Sequence, residues 1–162
     1  MLLVFVDIII SNLKPQFLIS HYNYDHHLNA NEIKIQTWGN NKVKVFSNNF
    51  GFKSNSNNDI ELKNSKVKRI VFIGDSFTEA VGIKYEDSFV GVLDGKISDK
   101  YEVINMGLSS YAPSAFYKKL EYWIENGLVI DQVIVMLDHS DIEDEIFHYR
   151  DNQEIIVKRK SL

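Results

Sequence analysis

Three short strings hold the residue types needed for acyl-transfer chemistry. They are Gly74-Asp75-Ser76-Phe77-Thr78, Asn105-Met106-Gly107-Leu108-Ser109 and Asp138-His139-Ser140-Asp141, and each follows directly on an apolar run. A serine at a strand-to-loop transition can expose its hydroxyl as a nucleophile. A glycine lets backbone N–H groups approach a developing oxyanion, and a third polar side chain can complete the oxyanion hole. Each residue also has a plain reading. Ser76 can be a turn serine, Gly107 a turn glycine and Ser140 a loop-capping residue. Asp75 reads as the residue that holds the turn by hydrogen bonds. His139 could serve as an improvised base, but neighbouring side chains point in opposite directions at a strand end, so it should face away if Ser140 faces the site. His148 reads as a surface residue. Asp25, His26 and His27 are poorly spaced to hold one ion from a regular strand. The acids Asp141, Glu143, Asp144 and Glu145 suit a solvated helix N-terminus.

These strings work together only if the elements before them lie side by side. Residues 69–73 (RIVFI) form an apolar run ending at Gly74, as in a buried parallel strand. Residues 87–97 predict a helix with Asp87 as N-cap and Phe89, Val90, Leu93 and Ile97 on one face. Residues 101–104 (YEVI) predict a second strand. Pro113 opens a second helix, with Phe116, Leu120, Trp123 and Ile124 as its apolar face and Gly127 as C-cap. Residues 132–137 (QVIVML) predict a third strand, 142–147 a short helix and 154–157 a further strand. This alternation argues for α/β with a parallel sheet. With strand order 2-1-3, the three strings converge at the carboxyl ends of the strands, where open α/β sheets bind ligands. Upstream, residues 32–36 and 42–46 alternate apolar and polar around Trp38-Gly39-Asn40-Asn41, which predicts a hairpin.

Composition limits the function classes. The chain has 162 residues, is 44% hydrophobic and 25% charged, and carries a net charge of -4. This excludes a mostly disordered chain, a collagen and a multi-span membrane protein. There is no basic stripe, so nucleic acid is not an expected partner. Cysteine is absent, which excludes disulfides and thiolate zinc sites. Residues 1–13 (MLLVFVDIIISNL) are strongly apolar but shorter than a membrane span. They read as a buried element, as part of a membrane anchor or as an interfacial segment, and composition does not separate these.

Residues 67–145 resemble the SGNH, or GDSL-type, hydrolase superfamily. Residues 69–78 (RIVFIGDSFT) are similar to its first block, which implies Ser76 as nucleophile and oxyanion donor. Residues 103–107 (VINMG) are similar to the second, which implies the Gly107 amide as a further donor. The third block, usually Gly-x-Asn-Asp, falls on residues 138–141, so Ser140 stands where the family has its oxyanion Asn. Asp75 and Asp141 are then supporting residues. Residues 49–53 (NFGFK), 25–28 (DHHL) and 38–40 (WGN) resemble elements of envelope and surface-polysaccharide members. The family's final Asp-x-x-His block, which supplies the general base, has no match after residue 78.

The resemblance implies a flavodoxin-like, three-layer α/β/α domain with a parallel sheet, incomplete at its C-terminus. It implies an organisation of an apolar segment at 1–20, a polar β-rich extension at 21–66 and the first part of the hydrolase domain at 67–162. It implies a serine-dependent esterase or O-acyl transferase in a bacterial cell envelope, acting on a small-molecule or glycan ester, with membrane association through the N-terminus. No cofactor and no metal are expected. An incomplete sheet should leave Val133, Val135 and Leu137 exposed. The competing reading is an inactive remnant or a non-enzymatic binding module of the same fold. A flavodoxin-like regulatory domain is a third reading, without a fingerprint here.

Overall fold

The structure is a computed structural model and describes residues 18–21, 24–63, 66–151 and 156–158. The apolar run at 1–13 lies outside the described residues. No described helix is long and apolar enough to cross a membrane.

Six strands form one mixed sheet. β3 (Ile33–Trp38) and β4 (Asn41–Ser47) make the hairpin, β5 (Lys53–Ser54) is a two-residue strand, and β6 (Lys68–Ile73), β7 (Tyr101–Asn105) and β8 (Gln132–Val135) follow. Their order is β3-β4-β5-β7-β6-β8. β6 lies between β7 and β8 and is parallel to both, with Val71 opposite Ile104 on one side and Val133 on the other. The order expected from the sequence, with the first strand central, is therefore the one observed. The hairpin continues the same sheet, because β5 pairs antiparallel with both β4 and β7. Two small antiparallel pairs stand apart from it: β1 (Leu18–His21) with β2 (Asp25–Leu28), and β9 (Tyr149–Asp151) with β10 (Ile156–Lys158).

Alternation along β6 feeds two cores, because successive side chains leave opposite faces of a strand. Val71 and Ile73 join Ile104, Met106, Ala115, Phe116 and Leu128 on one face. Ile70 and Phe72 join Tyr85, Val90, Leu93 and Ile97 on the other. One face is thus covered by α3 (Pro113–Glu125) and the other by α2 (Phe89–Ile97). The helix after residue 87 begins later than the sequence suggests. Ser88 caps it, its hydroxyl accepting from the Gly91 amide at 3.0 Å, while Asp87 closes a 3-10 turn over Tyr85–Asp87. Pro113 occupies the first turn of α3 as expected, and Asn126 is the C-cap, with Gly127 beyond it at φ 91°. Ile124 is exposed and does not belong to the apolar face assigned to it, whereas Phe89, though partly exposed, meets the Phe72 ring edge-on at 5.9 Å.

β8 ends at Val135, and its outer edge has no neighbour in the six-stranded sheet. Val133, Val135 and Leu137 are 37%, 49% and 65% exposed, as expected for an uncovered strand. α4 (His139–His148) follows, longer than the helix read from the sequence.

The start of β6 is held by a buried guanidinium. Arg69 donates from Nε to Glu102 at 2.5 Å and from its terminal nitrogens to the carbonyls of Glu61, Leu62 and Val129. One side chain thereby satisfies three loop carbonyls that would otherwise be costly to shield from water.

Candidate functional site

Backbone hydrogen bonds draw the three strand ends together. Beyond β6, the Ile73 carbonyl accepts from the Met136 amide at 2.8 Å and the Gly74 carbonyl from the Leu108 amide at 3.0 Å. Gly74 is required by close approach. A Cβ there would meet the Thr78 hydroxyl and would lie 2.8 Å from the Met136 carbonyl. The chain can therefore turn tightly from β6 into the four-residue helix α1 (Ser76–Glu79), of which Ser76 is the first residue.

Asp75 caps α1. Its Oδ1 accepts from the Phe77 amide at 2.9 Å, and its Oδ2 has the Ser76 hydroxyl at 3.3 Å. The Asp75 role expected from the sequence, holding the turn, is the one seen. Its carboxyl is held above the ordinary range, chiefly by burial, with Asp138 adding to the shift. No described histidine hydrogen-bonds to Ser76. His139 is exposed, and its Nδ1 lies 4.0 Å from a Glu143 carboxylate oxygen on the same helix.

The other two sequence-derived oxyanion donors reach the neighbourhood but are committed elsewhere. The Gly107 amide donates to Asn105 Oδ1 at 2.9 Å, while Asn105 Nδ2 donates to the Thr78 carbonyl at 2.8 Å. Gly107 is a packing glycine, since a Cβ would lie 2.6 Å from the Glu79 amide nitrogen and from the Thr78 side chain. The Ser140 hydroxyl and amide both lie 2.6 Å from Asp138 Oδ1. Asp138, the residue before α4, thus caps that helix, and Ser140 is a donor to the cap rather than the cap itself. Its bonds hold the Asp138 carboxyl below the usual range.

Asp141 is buried, and its Oδ2 accepts from the Asp138 amide at 2.9 Å. Burial first, then the charges of Asp75, Asp138 and Asp144, push its carboxyl up to about 6. Asp75, Asp138 and Asp141 each offer a carboxylate oxygen within 4.8 Å of the other two. The acidic run at 141–145 therefore splits, with Asp141 turned into this cluster. His26 and His27 belong to no metal-type group among the described residues, and the Asp25 side chain lies outside them.

An apolar cleft of about 210 Å³ adjoins the acids. Phe77, Thr78, Phe89, Met136 and Leu137 line it, with Asp75 and Asp138. A larger cleft of about 400 Å³ beside Lys53, Tyr85 and Asn105 includes neither Ser76 nor the three acids.

Glu79 and Gln36 shape the site and were not singled out from the sequence. Glu79 is buried and accepts from the Ser109 amide at 2.7 Å, the Ser109 hydroxyl at 2.5 Å and Gln36 Nε2 at 2.8 Å. Gln36 also accepts from the Gly82 amide at 2.9 Å, so the hairpin is tied directly to α1 and to the loop that follows it. His26 Nε2 lies 2.8 Å from the Ser109 carbonyl and can only donate to it, which places the ring proton on that nitrogen. Ser110, next in the loop, has φ 63°. Lys53 donates to the Ala80 and Ile83 carbonyls at 2.7 and 2.8 Å, and burial lowers its ammonium to about 8.

Lys119 is fully buried on α3. It donates to the Met106 carbonyl at 3.0 Å, and its Nζ lies 4.8–5.8 Å from the ring centroids of Tyr24, Phe52 and Tyr111. Burial lowers it to about 7, against an upward pull from Glu79. A signal existed for this residue: Lys119 falls on the same helical stripe as Ala115, Phe116 and Trp123. Glu79 and Gln36 carried none, because each depends on a partner more than 25 residues away. No protein-family model matches the chain, and no curated protein matches it.

Proposed function

We propose that this chain is a serine-dependent ester hydrolase or O-acyl-transfer domain of the SGNH type, with a flavodoxin-like arrangement of its parallel strands. The observation that supports it is the placement of Ser76. It is the first residue of a helix that leaves the central parallel strand, and it lies between the two flanking strand ends. In the proposed reaction Ser76 Oγ attacks the ester carbonyl and loses its proton to a base. The tetrahedral adduct then collapses to an acyl-serine and an alcohol, and water or an acceptor hydroxyl releases the acyl group. The adjoining apolar cleft, lined by Phe77, Phe89, Met136 and Leu137, suits a short acyl chain. An envelope glycan as the acyl carrier rests on the family resemblance alone.

A second reading has its own support. The Gly107 amide and the Ser140 hydroxyl are both engaged within the protein, and no described histidine bonds to Ser76. That arrangement favours a non-catalytic binding module of the same fold. Fluorophosphonate labelling decides between the two. The hydrolase reading expects slow, stoichiometric modification of the Ser76 peptide, accelerated by added imidazole as a substitute base and lost in Ser76→Ala. Folded protein that stays unlabelled with imidazole, or is labelled equally in Ser76→Ala, would leave the binding-module reading.

A further inference from the structure

We propose that Asp75, Asp138 and Asp141 form a binding site for Ca²⁺ at the carboxyl end of the parallel strands. Cation binding here is independent of the serine chemistry. One oxygen of each carboxylate is satisfied by donors at the helix ends. Asp75 Oδ1 accepts from the Phe77 amide, Asp138 Oδ1 from Ser140 and Asp141 Oδ2 from the Asp138 amide. The remaining oxygens are poorly served. Asp75 Oδ2 has the Ser76 hydroxyl at 3.3 Å, long for an O–H···O bond.

Asp138 Oδ2 and Asp141 Oδ1 are buried and have no hydrogen-bond partner among the described residues. Asp141 as a residue is 1% exposed. A buried carboxylate oxygen without a donor is strongly disfavoured unless a cation or proton supplies what water has lost. This is an observation about the oxygens themselves, separate from the presence of three acids together.

Geometry selects the ion. With one oxygen from each acid within 4.8 Å of the others, a point no more than about 2.8 Å from all three exists. Ca²⁺ binds oxygens at about 2.3–2.6 Å in flexible geometry, so a small contraction suffices. Mg²⁺ at about 2.0–2.1 Å in a strict octahedron needs a larger one. The donors are all hard oxygens, which disfavours zinc and copper. Three protein oxygens leave the other positions to water, so the affinity should be that of a weak site.

The test uses the full chain, freed of metal, with CaCl₂ as the probe in calorimetry. One Ca²⁺ per chain is expected, with Kd on the order of 10⁻⁴–10⁻³ M and weaker binding of MgCl₂. Asp141→Asn should weaken Ca²⁺ at least about tenfold, because affinity follows ligand charge. Glu143→Gln, on the same helix but outside the cluster, should leave it unchanged. Should Asp141→Asn not fold, wild-type protein with MnCl₂ gives an independent reading by NMR. The amides of residues 75–77 and 138–141 should broaden first. No saturable Ca²⁺ binding, tighter Mg²⁺ binding, equal loss in Glu143→Gln, or broadening centred on residues 143–145 would each overturn the proposal.

Discussion

Lys119→Met tests how the layer beneath the site is held. The ammonium is buried and falls from 10.5 to about 7, equivalent to about 5 kcal/mol against the charged form. Three aromatic rings at 4.8–5.8 Å offset part of this, at about 0.5–1 kcal/mol each. The bond to the Met106 carbonyl offsets about 1 kcal/mol more. The folded value lies below the unfolded one, so the unfolded chain binds more protons between about pH 7 and 10.5. Wild-type stability should rise with pH across that window, and the penalty is complete below it.

Methionine keeps most of the side-chain volume and removes the titration. Lys119→Met is therefore expected to be more stable than wild type by about 1–2 kcal/mol at pH 6 and less stable than it by about 1–2 kcal/mol at pH 9.5, because linkage changes the difference by about 3 kcal/mol between the two. Urea unfolding followed by tryptophan fluorescence, run at both pH values, measures the difference. The His27 imidazole is lowered chiefly by burial and in part by the Lys119 charge, so it adds a smaller linked proton near the acid end of the range. A variant less stable than wild type by more than about 2 kcal/mol at pH 6 would refute the reasoning, showing that the aromatic cage outweighs desolvation. A difference independent of pH would refute it as well, since no proton would then be linked to this amine.

Gly107→Ala should destabilise the fold by about 1–3 kcal/mol in denaturant unfolding, because its Cβ would press on Thr78 and the Glu79 amide; a neutral result would reject the packing role. Val135→Lys should suppress self-association in light scattering, since the apolar outer edge of β8, without a partner strand among the described residues, invites strand pairing. Wild type that remains monomeric at high concentration would refute this. Hydrolysis of p-nitrophenyl acetate should stay near background and show no further loss in Ser76→Ala, since no described histidine partners the serine. Brisk activity lost in Ser76→Ala would mean that a base operates within the chain.

The parallel core was legible because its signals are local. Apolar runs at 69–73, 101–104 and 132–137, each followed by polar or glycine residues, read directly as strands, and the helices between them showed a 3.6-residue stripe. Their order followed from the connections. The boundaries moved where capping was decided by a neighbouring hydroxyl: Ser88 rather than Asp87 begins α2. Alternation in β3 predicted a strand correctly but not which face turns inward. Ile33 and Ile35 are exposed while Gln36 points to Glu79, because the face of an outer strand is set by what the neighbouring loops offer.

By itself, the sequence determined that Ser76, Asp75 and Asp141 would meet at the ends of adjacent parallel strands. That meeting follows from strand position and a period of two, both written along the chain. Only the tertiary structure decided what each group does there. The Gly107 amide went to Asn105, the Ser140 hydroxyl to Asp138, and two carboxylate oxygens were left buried without donors. A hydrogen-bond donor is assigned by whichever acceptor lies within about 3 Å once the loops have packed. That competition involves residues distant in the chain, so no local pattern in the sequence carries its outcome.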